Sequence, residues 1–264
     1  MPKALEEVVQ LLRESEVILV VVGAGLLKPS RLPTFREDPG FWGHAIEAIA
    51  TKSAFDRNPA QVWNLYERRR RLALDATPKE GHLALARLSK AKPNSLAITQ
   101  NIDELSTDAG HELGTLQALH GSLFDLRCAN DACAFKGRNL DRRIFDLLVC
   151  PECRSSYLRH RVPWFGERLP LDIVQQIDAW LEFHQRIDMV LVVGTERTPY
   201  LHDALLRGAK VVWFNKLEGH VEDMEDADWV VDGDASMTLP YVIDSALAGV
   251  PEHGLSQPLW SYGP

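Results

Sequence analysis

Four polar side chains suited to chemistry in a pocket follow a short apolar run near the middle of the chain. The segment 99–122 reads TQNIDELSTDAGHELGTLQALHGS, and it comes directly after the apolar residues 96–98. That run predicts a short buried strand. In an open α/β sheet, ligands bind at the carboxyl ends of the strands, so we expect a pocket here. The four side chains are Gln100, Asn101, Asp103 and His120.

The four cysteines form two close pairs, Cys128/Cys133 and Cys150/Cys153, with 16 residues between the pairs. Four thiolates at the ends of two tight turns can converge on one tetrahedral zinc ion, and such pairs favour zinc over disulfides in an intracellular chain. Structural zinc contributes on the order of 10–16 kcal/mol, more than so small a lobe could otherwise supply. Reduced, unliganded thiols and disulfides remain the alternatives.

Length and charge narrow the class of protein. The 264 residues suffice for one large domain, or for a main domain with a small insert. The net charge of -8 argues against general nucleic-acid binding, so we expect no direct sequence-specific nucleic-acid contact. No apolar run has signal-peptide or membrane-spanning length. The sequence predicts an intracellular protein of the cytoplasm or nucleus without membrane contact, and a mitochondrial location stays open.

The elements that must position these residues alternate between helix and strand. The run 17–22 predicts a buried strand, and it opens into Gly23, Ala24 and Gly25, where small residues let backbone amides approach a pyrophosphate. Further strands are predicted at 189–193, 210–214 and 228–231. Helices are predicted at 3–15, 54–75, 77–90, 201–206 and 238–248, and another helix follows the WFGE segment and ends near residue 186. This alternation predicts a Rossmann-like, doubly wound parallel sheet with a smaller helical and zinc-binding domain inserted.

Several motifs together resemble one family. The segment GAG-LLKPSRLPTFR is similar to the sirtuin cofactor loop GAGxSxxSGIPxFR, and TQNID with LHGS is similar to the sirtuin TQNIDxLHxxAG and LHGS. The cysteine pairs lie where sirtuins carry zinc. Looser matches are WFGE at 164–167, VVGT at 192–195, Asn215, and Gly233 with Asp234. The chain therefore resembles a sirtuin over nearly its whole length.

The resemblance implies a division into domains. The expected Rossmann-like NAD-binding domain is discontinuous, and the small domain combines a helical insert with a zinc ribbon. The large domain comprises 1–30, 76–121 and 165–250, the small domain 31–75 and 122–164, and a poorly ordered tail 251–264.

The resemblance also implies NAD-dependent removal of an acyl group from a lysine side chain. In that chemistry the acyl oxygen attacks the nicotinamide ribose, and a histidine base then activates a ribose hydroxyl. His120 matches the base, and an imidazole can take and return a proton near neutral pH. Asn101 and Asp103 match the groups that engage the ribose and carboxamide, and Gln100 matches a ribose contact. For Asn101 and Asp103, turn residues that cap the next helix remain the alternative.

Other matching positions extend the implied site. Phe35 would shield the reacting ribose, and Arg36 would face the diphosphate. The backbone around Pro163, Phe165 and Gly166 would line an acyl-lysine tunnel and pair with the substrate strand. The remaining implied cofactor contacts are Gly23, Ala24, Gly25, Gly194, Thr195, Glu196 and Asn215.

Tyr66 and Arg69 indicate which acyl group is removed. Spaced i and i+3, they share one helix face and resemble the Tyr-x-x-Arg of desuccinylase and demalonylase-type sirtuins, which also tend to have threonine at the position of Thr34. A guanidinium can pair with a succinyl, malonyl or glutaryl carboxylate while a phenol adds a hydrogen bond. The alternative is a surface arginine beside a core tyrosine. The surrounding run Arg68 to Arg71 is otherwise predicted to be solvated.

The chain departs from the sirtuin pattern at several positions: Leu27, Arg31, Ser106, His160, Pro163 and Glu196.

The resemblance as a whole predicts an NAD-dependent deacylase of acyl-lysine proteins or peptides that favours acidic acyl groups and releases nicotinamide and O-acyl-ADP-ribose. A weakly active or inactive module that binds NAD or ADP-ribose, and an ADP-ribosyltransferase, are the alternatives. The sequence predicts no oligomeric state.

Overall fold

The computed structural model describes residues 3–30, 32, 46–138, 146–195, 199–215 and 227–248. Every structural statement below concerns these residues. Several sequence-based predictions fall outside the described residues, and they concern Arg31, Thr34, Phe35, Arg36, Glu196 and the tail 251–264.

Six parallel strands form the central sheet. They are β1 (Ile18–Val22), β2 (Ser95–Thr99), β3 (Leu116–Ala118), β7 (Met189–Val193), β8 (Lys210–Asn215) and β9 (Trp229–Asp232). Their order is β3-β2-β1-β7-β8-β9, so the direction of winding reverses between β1 and β7. Strands β1, β2 and β7 are buried along their whole length, because helices cover both faces of the sheet.

The described part of the chain contains nine α-helices. They are α1 (Lys3–Glu14), α2 (Ile46–Ile49), α3 (Lys52–Arg57), α4 (Pro59–Asp75), α5 (Glu80–Ala91), α6 (Leu105–Asp108), α7 (Leu171–Phe183), α8 (Leu201–Leu206) and α9 (Ala235–Leu247). Of these, α2, α3 and α4 pack away from the central sheet. Alternate residues of β1 point to opposite faces. Val20 packs in a cluster with α1, α5 and α9, and Val21 packs in a cluster with α7 and α8.

A second, antiparallel sheet carries the cysteines. Its strands are β4 (Ser122–Cys128), β5 (Lys136–Arg138) and β6 (Leu158–Arg161), in the order β5-β4-β6. It packs against α4 in hydrophobic clusters separate from those of the large sheet. These two sheets confirm the predicted doubly wound fold with a cysteine-bearing lobe. The proposed domain boundaries stay a prediction.

The structure corrects several details of the sequence analysis. The helix predicted at 54–75 is two helices, because Asn58 ends α3 and its side chain caps α4. Strand β3 was not predicted, and α9 begins earlier than expected, where Asp234 caps it. Arg70 is fully buried, so the prediction of a solvated run from Arg68 to Arg71 is wrong at that position. Within the described residues, no helix is both long enough and apolar enough to span a membrane.

Candidate active site

The loops that follow β1 and β7 touch each other where the winding of the sheet reverses. The backbone N–H of Gly25 donates to the carbonyl oxygen of Gly194 at 2.8 Å. A Cβ atom on Gly25 would lie 2.6 Å from the Cα of Gly194, and Gly194 itself has a φ of +59°. Both positions therefore need glycine. The contact lies at the place where doubly wound folds bind nucleotides.

Gln100 and Asn101 connect β2 to these two loops. The side-chain amide of Asn101 donates to the carbonyl oxygen of Gly23 at 3.0 Å. The hydroxyl of Thr195 donates to the Gln100 side chain at 3.4 Å. The structure thus brings together five predicted cofactor contacts from three adjacent strand ends: Gly23, Gly25, Gln100, Asn101 and Thr195.

His120 follows β3 and faces the same strand ends. Its Nδ1 atom lies 2.9 Å from the backbone carbonyl oxygen of Gln100. Because that oxygen can only accept, Nδ1 carries a proton in this contact, and Nε2 of a neutral ring has the lone pair of a base. A Cβ atom on the next residue, Gly121, would lie 1.9 Å from the carbonyl oxygen of Arg161. Glycine therefore lets the end of β6 pass close to the backbone next to His120.

The two carboxylate oxygens of Asp103 differ in their contacts: one makes the turn contact that was the alternative prediction for this residue, and the other makes no hydrogen bond within the described residues. Its Oδ1 accepts the backbone N–H of Leu105 at 2.9 Å, as in an Asx turn. Its Oδ2 is buried and has no hydrogen-bond partner in the described residues. Burial raises the pKa of the Asp103 carboxyl to about 6, against the opposing effects of backbone hydrogen bonds and of Arg69. A buried acceptor without a partner suits a ligand with N–H or O–H groups.

Tyr66 and Arg69 lie on α4 beside this aspartate. Tyr66 is 6% exposed. Burial is the main cause that raises the pKa of Tyr66 to about 12, so its phenol stays a neutral donor. Burial lowers the pKa of Arg69 to about 10, although the negative charge of Asp103 opposes that shift, so Arg69 stays cationic at neutral pH. Arg69 therefore places a positive charge near Asp103, and Tyr66 adds a buried hydroxyl one helical turn away on α4.

The segment 162–167 is held rigidly after β6. Arg159 pairs with the Glu167 carboxylate at 2.6 and 2.8 Å, and its guanidinium lies 3.2 Å from the centre of the Trp164 ring. Glu167 also accepts the backbone N–H of Trp164 at 2.8 Å. Phe165 is 46% exposed, and Gly166 has a φ of +88° with open space beside it. Phe165 and Gly166 are exposed beside the partly buried Pro163, and the backbone N–H of Phe165 donates to the carbonyl oxygen of Ala50 at 2.9 Å.

The cysteine pairs meet in the second sheet. The Sγ atoms of Cys128 and Cys153 lie 3.6 Å apart, those of Cys133 and Cys150 lie 3.8 Å apart, and all four lie within 4.8 Å of one another. Thiolates that bind a tetrahedral zinc ion at about 2.3 Å are about 3.8 Å apart. A disulfide would need about 2.05 Å, so the thiols are not bonded in pairs. The four residues therefore fit a structural zinc ion, as predicted.

Asn215, a predicted cofactor contact, and Leu27, a departure from the sirtuin pattern, contribute less to the described site. Asn215 ends β8, and its backbone carbonyl accepts from Gly233 at 3.2 Å. Leu27, which stands where the sirtuin pattern has serine, is buried in an apolar cluster with Leu105. The structure places a buried polar group next to Tyr66 that no local sequence pattern predicts. This group comprises Glu67, Arg70 and His160.

These features define a class of protein. A doubly wound sheet places an imidazole, an amide and a buried carboxylate after the carboxyl ends of β2 and β3, on the same edge of the sheet as its switch point, and a second lobe brings four cysteines together. Proteins of this class bind a dinucleotide across the strand ends and hold a structural metal in the smaller lobe.

Comparisons with known proteins identify the family. A model of the Sir2 family matches residues 23–199. A protein named NAD-dependent protein deacylase from Candida albicans is 35% identical, and the match covers 95% of this chain and 100% of that protein. Mitochondrial NAD-dependent protein deacylase sirtuin-5 from Canis lupus familiaris is 34% identical, over 78% of this chain and 74% of that protein. A crystal structure described as a Sir2 homolog–NAD complex has a TM-score of 0.80 and 30% identity, and covers 92% of this chain and 94% of that one. The chain belongs to the Sir2 family.

Proposed function

We propose that this chain removes short acidic acyl groups, such as succinyl, malonyl or glutaryl, from protein lysines in preference to acetyl. As a member of the Sir2 family, the chain is an NAD-dependent protein deacylase. The finer preference is carried by one observation: Tyr66 and Arg69 lie on one buried helix face, and Arg69 interacts electrostatically with Asp103. The residue pair that would hold an acidic acyl chain is thus adjacent to the residue proposed to engage nicotinamide.

NAD would be held at the glycine contact and along the end of β2. Gly25 and Gly194 let the loops after β1 and β7 meet closely, and Asn101 and Thr195 make their side-chain hydrogen bonds beside this contact. The unused Oδ2 of Asp103 would accept from the nicotinamide carboxamide. When bound, NAD supplies a ribose carbon that accepts the acyl oxygen as nicotinamide leaves.

His120 would act as the general base. Its Nδ1–H is held by the carbonyl oxygen of Gln100, which orients the ring and leaves Nε2 to take a proton from a ribose hydroxyl. A positioned base of this kind contributes roughly 10²–10⁴-fold to the rate. Asn101 would position the ribose, because its side-chain amide is held by the carbonyl oxygen of Gly23.

The acyl preference follows from the charge of Arg69 and the hydroxyl of Tyr66 at the proposed acyl site. A succinyl carboxylate can form a charge-assisted hydrogen-bonded pair with Arg69 and accept from the Tyr66 phenol, whereas an acetyl group has no acceptor in that position. Hydrogen bonds to charged groups contribute about 1.5–3 kcal/mol each, which corresponds to a preference of roughly 10- to 100-fold. The buried, low-dielectric surroundings of Tyr66 strengthen such an interaction.

The peptide itself would lie along residues 162–167. Their backbone is braced by Glu167 and Arg159, and Phe165 presents an exposed ring for the aliphatic part of the lysine. An extended substrate would add a strand at this edge and place its acyl-lysine toward His120.

A panel of acyl-lysine peptides tests the proposal. Peptides of one sequence carrying acetyl, propionyl, succinyl, malonyl or glutaryl groups are incubated with NAD, and nicotinamide and O-acyl-ADP-ribose are quantified by mass spectrometry. We expect kcat/KM for the acidic acyl groups to exceed that for acetyl and propionyl by about tenfold or more. Propionyl has the three-carbon length of malonyl, so equal values for propionyl and malonyl would reject the acidic preference.

A second candidate is a module that binds NAD or ADP-ribose with little turnover. It is favoured by Leu27, whose apolar side chain is buried where the sirtuin pattern has a hydroxyl. Calorimetric titration with NAD alongside the peptide panel separates the two functions. Tight binding with no nicotinamide release from any peptide would support the module, and release would exclude it.

A further inference from the structure

A buried polar network lies directly beneath the proposed acyl site. Arg70 donates from Nε to Glu67 Oε1 at 2.9 Å and from Nη2 to Oε2 at 2.8 Å. Nε2 of His160 lies 3.0 Å from the same Oε1 atom. The side chains of Glu67, Arg70 and His160 are all 1% exposed or less. Placing these groups out of water is costly, so the pairing must be nearly complete for the fold to tolerate it.

The protonation of the three groups follows from their surroundings. Burial alone would raise the pKa of Glu67, but hydrogen bonds from His160 and Arg70 lower it to about 2, so it remains a carboxylate. Burial also lowers the pKa of His160, which favours a neutral ring at neutral pH. Since a carboxylate only accepts, His160 donates through Nε2–H, and its Nδ1 is buried without a hydrogen-bond partner in the described chain. Glu67 is therefore the polar contact that orients this ring.

The His160 ring is also the contact surface of Tyr66. The centroids of the Tyr66 and His160 rings are 5.6 Å apart in a stacked arrangement, and Trp63 lies 4.8 Å from His160. Glu67 and Arg70 belong to α4, as do Tyr66 and Arg69, whereas His160 belongs to β6. The network thus joins the helix that carries the proposed acyl-binding pair to the strand that leads into the proposed peptide-binding segment.

We propose that Glu67, Arg70 and His160 form a positioning network that orients Tyr66 for an acidic acyl group. This inference rests on the proposed function. His160 acts through Tyr66: its hydrogen bond to Glu67 fixes the plane of its own ring, and that plane fixes the phenol stacked on it. The network selects among acyl groups without touching NAD or the reacting atoms. His160 stands where the sirtuin pattern has proline, so the hydrogen bond from this position is a feature of this chain.

A double-mutant cycle tests the coupling. His160→Phe keeps a ring between Trp63 and Tyr66 but removes the donor to Glu67, while the Glu67–Arg70 pair remains to support the fold. We expect H160F to raise KM for a succinyl-lysine peptide about fivefold or more, to change kcat little, and to change kcat/KM for the acetyl peptide less than twofold. We expect Y66F/H160F to be no worse than Y66F alone, because both substitutions remove the same phenol contact. The inference would be overturned if the effects of Y66F and H160F multiplied in the double variant, or if H160F lowered kcat/KM equally for the succinyl and acetyl peptides.

A second readout does not depend on acyl preference. In protein labelled with 3-fluorotyrosine, the Tyr66 resonance is assigned from its absence in Y66F and then compared between wild type and H160F. A shifted or broadened resonance is expected, and an unchanged one overturns the network even if the wild type prefers succinyl. A wild-type protein that shows no preference for succinyl over acetyl would overturn the proposed function, and with it the acidic acyl group for which this network is proposed to orient Tyr66. Additivity in the cycle would overturn this inference alone.

Discussion

The Nδ1 atom of His120 lies 2.9 Å from the backbone carbonyl oxygen of Gln100, although the two residues follow different strands. This contact fixes which ring nitrogen carries the proton and so which one can act as a base. It also links the proposed base to the middle of the sheet. Gln100 follows β2, and its backbone N–H donates to the carbonyl oxygen of Val22, at the end of β1, at 2.9 Å. The proposed base is therefore built on the rigid part of the sheet.

Replacement of His120 by alanine is expected to lower kcat by about 10²-fold or more while NAD still binds, because the base is removed and the glycine contact is untouched. Nicotinamide release and calorimetric NAD titration measure the two effects. His202→Ala on α8 is the matched control, since His202 is exposed. Full deacylase activity in H120A would contradict the assignment of the base.

Replacement of Asp103 by asparagine is expected to stabilise the fold while weakening use of NAD. Because the folded-state pKa of Asp103 is raised to about 6, its charged form destabilises the fold. The cost begins as pH rises through the ordinary pKa of Asp and is complete above about pH 7. D103N should therefore raise the free energy of unfolding by about 1–3 kcal/mol at pH 8, with the gain shrinking toward pH 4.

The same substitution has an opposite effect on function. Asparagine keeps the Oδ1 acceptor of the Asx turn but replaces the unused oxygen by an N–H donor. We expect KM for NAD to rise at pH 8, and the wild-type KM to rise as pH falls below about 6 because Asp103 becomes protonated. Urea unfolding and initial rates across pH measure both effects. A D103N variant that loses stability at pH 8 would refute this account of Asp103.

Loss of zinc is expected to unfold the cysteine-bearing lobe. Four thiols with Sγ separations such as 3.6 Å form a site for one ion, and that ion would link the two cysteine pairs, while further support of the sheet comes from α4. Cys150→Ser should abolish zinc in the purified protein, lower Tm and remove activity, and elemental analysis with thermal unfolding measures this. Glu152→Gln, an exposed neighbour, is the control. Wild-type protein that contains no zinc and keeps its Tm in chelator would contradict the metal site.

Much of the fold could be predicted because the central strands are uninterrupted apolar runs. A run such as Ile18–Val22 is buried on both faces, and this leaves a clear signature in one sequence. Strand β3 lacks that signature, because its three residues include Gln117 and its pairing with β2 supplies the order. The polar strand-end residues were predictable because they follow such runs directly.

The interior of the small lobe could not be predicted in the same way. Arg70 looks like one member of an exposed basic run, and its burial depends on Glu67 and on His160, which is 93 residues away from Glu67 in the sequence. No local pattern reports a partner at that separation. The same limit applies to Arg69, whose interaction with Asp103 joins α4 to the loop after β2.

The most direct test of the central claim is the ratio of kcat/KM for succinyl-lysine to that for acetyl-lysine in wild type, Arg69→Met and Arg68→Met. Methionine keeps much of the aliphatic length and removes the charge, and Arg68 is an exposed neighbour on the same helix. We expect R69M to lower this ratio about tenfold or more, mainly through KM for the succinyl peptide, and R68M to leave it within twofold. An R69M variant that loses both activities in equal proportion would contradict the acidic acyl preference.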